Sequence, residues 1–113
     1  MVSARFKPTE VPMGTYPVAP GRLTPGTQIT VAVLWVREDK SEVGAVWEMT
    51  PGVLDETQGN ESFVILSGRS RVDFPDGRVL EFGPGDVGVL APGDTCRWTT
   101  LETVRKVVVF RIT

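Results

Sequence analysis

A chain of 113 residues with formal net charge −2, 12 Gly, 9 Pro, one Cys and no His holds material for one domain. One cysteine excludes an internal disulfide framework, and no apolar run approaches the ~18 residues of a membrane-spanning helix. The near-neutral balance without a basic run argues against a nucleic-acid partner, and no basic-then-apolar leader opens the chain, so the cytoplasm is the expected compartment.

Residues 1–26 carry five of the nine prolines: Pro8, Pro12, Pro17, Pro20 and Pro25. Proline removes amide donors and biases its predecessor toward extended backbone. This stretch reads as an extended arm. Val11, Met13, Tyr16, Val18 and Leu23 give it something to bury, on its own sheet or a partner's. Residues 27–113 read as a single β domain. Thr27 to Val36 is a β-branched run apolar on both faces, as a strand covered on both sides would be. Glu42 to Thr50 is a second strand, ended by Pro51-Gly52. Ser62 to Leu66 is a third, closed by Gly68. Arg69 to Phe74 and Arg78 to Phe82 flank Pro75-Asp76-Gly77, a hairpin turn signal. Gly83-Pro84-Gly85-Asp86 leads into Val87 to Ala91, and Pro92-Gly93-Asp94 into Thr95 to Leu101. Val104 to Ile112 ends the chain and is also apolar on both faces. Asp55-Glu56 reads as a solvated loop, Arg71 and Asp73 as a solvated face, and Glu102 with Arg105 as a structural ion pair.

About eight short strands with regular turns predict an all-β sandwich or barrel. The two strands apolar on both faces need cover from the arm or from a second subunit, so a homodimer is expected. The absence of histidine removes the commonest general base near neutral pH and the commonest transition-metal ligand. It also excludes Ser-His-Asp and Cys-His machinery.

Two segments resemble the paired motifs of the cupin superfamily, a small jelly-roll barrel. The first is G(X)5HXH(X)3,4E(X)6G. Glu61, six residues and Gly68 match its second half, while Leu54 and Glu56 stand at the histidine positions and Glu48 at the leading glycine. The second is G(X)5PXG(X)2H(X)3N. Gly85 and the run Ala91-Pro92-Gly93 match it, with Cys96 at the histidine and Thr100 at the asparagine. A closer similarity is to the cupin subfamily of unknown function related to ethanolamine-utilization cupins and (S)-ureidoglycine aminohydrolase. It is carried by Trp47 to Gly52, Asn60 to Gly68, Gly83 to Asp86, Cys96-Arg97-Trp98 and Leu101 to Lys106. Asp55, Glu56 and Thr57 replace the aromatic residues often found before the motif glutamate. The resemblance implies a cupin jelly roll and a Glu61 that points into the barrel.

Period-two alternation then puts Phe63 and Ile65 inward with Glu61, and Trp98 and Thr100 inward with Cys96. The expected ligand pocket is Trp47 (or Met49), Glu61, Phe63, Cys96 and Trp98. Glu61 reads either as a buried carboxylate able to act as acid or base or as a lone oxygen ligand, or as a rim carboxylate held by an arginine or simply solvated. Cys96 reads as a small buried hydrophobe, because Arg97 points to the opposite face and is a poor activator. Glu56, Glu61 and Cys96 are the only metal-ligand candidates at family positions, and such a mixed set suits no common metal, so no metal or other cofactor is expected. The sequence leaves three functions open. The first is a small organic molecule bound in the barrel without a histidine metal centre. The second is an enzyme resembling aminohydrolase-type or ethanolamine-utilization cupins, with Glu61 catalytic. The third is a structural dimerisation module with a filled barrel. A cavity lined by Glu61 and Trp98 would favour the first, and a filled barrel the third.

Overall fold

Eight strands account for the regular structure of a computed structural model that describes residues 2–112, the side chain of Gln58 excepted. Met1, counted with the arm, lies outside the described residues. In chain order the strands are β1 (Gly14–Thr15), β2 (Ile29–Val36), β3 (Glu42–Met49), β4 (Gly52–Gln58), β5 (Glu61–Asp73), β6 (Val79–Phe82), β7 (Val87–Leu90) and β8 (Thr95–Arg111). All pairings are antiparallel. The order is β1-β2-β3-β8-β5-β6, with β4 also on β8 and β7 also on β5. The chain folds as an all-β jelly-roll barrel.

Alternation decides which side chains fill it. On β5 the inward set is Glu61, Phe63 and Ile65. On β8 it is Cys96, Trp98, Thr100, then Val104, Lys106 and Val108. Trp98 is completely buried and anchors the core. It stacks with Phe82, meets Phe63 and Trp47 edge-on at 5.5 Å, and its indole N–H donates to Thr100 Oγ1 at 3.1 Å. Gly88 makes room for this cluster, because a Cβ there would lie 2.3 Å from Phe63 Cζ.

Several boundaries differ from the sequence reading. The third and fourth expected strands run together as β5, and the last two as β8. Gly68 does not end a strand. It takes a positive φ of 84° at an irregularity of the β5–β8 ladder, where its missing Cβ lets Thr103 O approach. The stretch read as a loop around Asp55 and Glu56 is the middle of β4, and Asp55 accepts from Arg97 Nε at 2.6 Å. A bulge between Leu54 and Thr57 puts Glu56 at φ 59°, which breaks the alternation that sequence reasoning relies on. Arg105 pairs with Glu48, its cross-strand neighbour, at 3.2 Å and not with Glu102.

Residues 2–28 hold one two-residue strand. They lie along the chain's own barrel. Gly14 pairs with Val31, Pro8 O accepts from Arg105 Nη1 at 2.9 Å, and Leu23 bridges to Leu54. Val18 and Leu23 pack against the core.

On the outer face, register aligns Ala32, Val46, Val107, Val64 and Val87 in one row, and Trp35, Gly44, Val109, Ser62 and Val89 in the next. Trp35 lies over Gly44. Val87 and Val89, at the β7 end of those rows, remain 73% and 65% exposed.

Candidate functional site

A lysine stands where the last strand would be expected to bury another aliphatic residue. Val104, Lys106 and Val108 share the inner face of β8, and the ladders set Lys106 opposite Trp47 on β3 and Ile65 on β5. Its Nζ donates to Glu61 Oε1 at 2.9 Å, with both side chains only 4% exposed. The same nitrogen lies 4.2 Å from the ring centroid of Trp98, 4.4 Å from that of Trp47 and 4.5 Å from that of Phe63. Three electron-rich faces and one carboxylate therefore surround one ammonium. Loss of solvent pushes the Lys106 amine below its usual range, and the charge and hydrogen bond of Glu61 push it back up. Either ion alone would be strongly disfavoured at this depth, so the two are retained together.

Above the pair the barrel opens into a cavity of about 410 Å³. Glu61, Lys106 and Trp47 reach it from the barrel, while Tyr16 to Ala19 border it from the N-terminal segment. Two cationic side chains, Arg22 and Lys106, border it against one carboxylate, Glu61, while Arg111 meets Asn60 at the mouth through its backbone and turns its guanidinium to Glu42 at 4.0 Å. Arg22 is fixed by donating to the carbonyls of Asp55 (3.2 Å) and Glu56 (3.0 Å). The Thr57 hydroxyl, also in the wall, has no hydrogen-bond partner among the described residues. A wall with excess positive charge and an unsatisfied hydroxyl suits an oxygen-rich anion.

Of the five residues expected to line a pocket, Trp47 and Glu61 face this cavity. Phe63 and Trp98 do not. They close the deep half of the barrel beneath Lys106, where their rings pack on Phe82. Met49, the alternative to Trp47, is fully buried in the core. Cys96 is also separate from the cavity and borders a shallower depression beside Phe74 and Arg97. Its thiol donates weakly to Thr57 O at 3.7 Å. Burial first, and then the charge of Glu61, raise its pKa from 9.0 to about 11. The thiolate is therefore scarce at neutral pH. Arg97 points outward to Asp55, as alternation requires.

Lys106 and Arg22 are absent from the sequence-based site. For Lys106 the signal was available, because period two from Val104 and Val108 places it inside. Nothing local in the sequence brings Arg22 to the mouth.

The metal cage of the superfamily does not fit these residues. Leu54 offers no donor and lies in the core, Glu56 is exposed at the bulge, and Glu61 already holds the Lys106 ammonium. A cation on Glu61 would face a second positive charge about 3 Å beyond it. Among the described residues no three His, Cys, Asp or Glu side chains converge. Among the described residues no helix is long and apolar enough to cross a membrane.

Comparison with known proteins places these features. The profile of the EutQ-like cupin domain matches residues 36–107. A protein of unknown function from Pseudomonas syringae pv. tomato superposes with TM-score 0.78 at 21% identity, over 88% of this chain and 44% of that one. A putative ethanolamine utilization protein Q from Salmonella typhimurium superposes with TM-score 0.65 at 20% identity, over 74% and 69%. A Thermotoga maritima protein from a family of unknown function is 34% identical over 56% of this chain and 73% of its own, with TM-score 0.53. The chain thus spans less than half of the Pseudomonas protein. No match was found among functionally curated proteins.

Proposed function

The chain belongs to the EutQ-like cupin family, and on that premise we propose that it binds a small organic anion in the barrel mouth without a histidine metal centre. One observation carries the reading. The buried Glu61–Lys106 pair forms the floor of a cavity of about 410 Å³ whose walls add Arg22. Trp47 and Phe110 supply apolar surface for the rest of such a ligand. A thermal-shift series with small carboxylates tests this. At least one acid should raise the melting temperature saturably, and Ala19→Trp, which fills the mouth, should abolish the effect. An unchanged shift in that variant would place binding elsewhere and end the reading.

A catalytic role for Glu61 is the second reading, supported by its contact with a lysine at the cavity floor. It predicts that Glu61→Gln keeps ligand binding and loses turnover. The third, a structural module, draws support from the aromatic filling of the deep half. The proposed partner is a second copy of this chain, meeting the outer face at β7. Among the described residues that strand pairs with β5 alone, and it exposes Val87 and Val89. Val87→Lys combined with Val89→Lys should turn a dimer into a monomer by light scattering. A cytoplasmic location remains part of the proposal, supported by the lone thiol.

A further inference from the structure

Lys106 is more than a counter-ion to Glu61. It is an amine held in an apolar aromatic box, hydrogen-bonded to a proton acceptor, and open on one side to a cavity bordered by Arg22. Lysines that form imines with carbonyl compounds are desolvated in this way and work beside an acid–base group. We propose that Lys106 condenses with the carbonyl group of a small oxo acid, with Glu61 moving the protons and Arg22 receiving the carboxylate. This rests on the anion-binding reading of the cavity and names its ligand class.

The steps balance. Glu61 takes a proton from the Lys106 ammonium, and the free amine attacks the carbonyl carbon. A C–N bond forms as the C=O π bond breaks, and the oxygen takes the proton back from Glu61 to give a carbinolamine. The hydroxyl then leaves as water, its second proton passing from nitrogen through Glu61 to the departing oxygen. The nitrogen lone pair makes the C=N bond and becomes an iminium, and Glu61 ends as carboxylate. One positive charge enters as ammonium and one remains as iminium, so the three rings and Glu61 stabilise the product as they do the reactant. No oxidant or reductant is consumed.

The chain contains three lysines, Lys7, Lys40 and Lys106, so the test resolves by peptide mapping. The intact protein is incubated at neutral pH with glyoxylate and sodium cyanoborohydride, which reduces an imine to a stable secondary amine. Lys106 should be the main modified residue, although Lys7 and Lys40 are exposed. Glu61→Gln should label about 100-fold more slowly, the lower end of what a positioned acid–base group contributes. Acetate, run in parallel by thermal shift, tests the cavity without the carbonyl. Adducts confined to Lys7, Lys40 or the chain's amino terminus would overturn the imine proposal. If acetate still protects the protein in that case, the anion-binding reading survives alone. If neither effect occurs, both fail.

Discussion

Replacing Lys106 with methionine removes one charge from a pair whose side chains are each 4% exposed. The buried Glu61 carboxylate, whose cross-strand neighbours are Leu90 and Phe110, would then be left with no ammonium. Deleting one member of a buried pair costs about 3–5 kcal/mol. Methionine fills much of the lysine stem's volume and keeps favourable contact with the rings, so the cavity contribution is small. With a urea slope of about 1.5 kcal/mol per molar, the midpoint should fall by about 2–3 M. The double variant Lys106→Met/Glu61→Leu removes both charges together and should recover most of that loss. Tryptophan emission during urea unfolding gives the readout, because Trp47 and Trp98 face the pair. A single-variant cost below about 1 kcal/mol would refute the buried-pair reasoning, as would a double variant as unstable as the sum of the two singles.

Three further outcomes follow from the same geometry. The Cys96 thiol, raised from 9.0 to about 11, ionises in the unfolded chain first, so its contribution to stability is intact below 9.0 and declines as pH rises through about 11. Lys106, lowered by burial, contributes in the opposite sense below the ordinary lysine value of 10.5, so the comparison of wild type with Cys96→Ala isolates the thiol. That variant should lose the alkaline decline, and native Cys96 should resist iodoacetamide at neutral pH until urea is added. Gly88→Ala drives a methyl group to 2.3 Å from Phe63 Cζ and 2.8 Å from Phe82 Cε1. It should cost about 1–3 kcal/mol in chemical denaturation, and a loss under about 0.5 kcal/mol would show that the aromatic cluster yields easily. Manganese, nickel or zinc should leave the melting temperature unchanged; a stoichiometric metal retained through purification would contradict the account of Glu61 as the lysine's partner.

Much of the barrel was legible because alternation is local. Glu61, Phe63 and Ile65 share a face whatever the rest of the chain does, and so do Cys96, Trp98 and Thr100. The errors arise where alternation fails or distant segments decide. The bulge at Asp55-Glu56 hid β4, since its charged residues and positive φ resemble a turn. Gly68 reads as a strand end in isolation, yet it is what lets Thr103 O come close within a continuing strand. The site was half legible. Glu61 could be placed inside, but its partner lies 45 positions away in the sequence. Lys106 enters the sequence reading only as the end of the Leu101 to Lys106 motif, in a segment dominated by valines. Arg22 reaches the mouth through carbonyls of β4, a contact no periodicity encodes.

β8 has a consequence for how the protein is made. Its 17 residues pair with β3, β4 and β5, so three earlier strands wait for a scaffold that the ribosome delivers after all of them. Until Thr95 to Arg111 has emerged, β3 and β4 lack this partner and Glu61 lacks its lysine. Folding dominated by such distant pairings falls in the millisecond-to-second range. The half-made chain therefore exposes Trp47, Phe63 and unpaired strand edges during synthesis, a window in which a chaperone has most to offer.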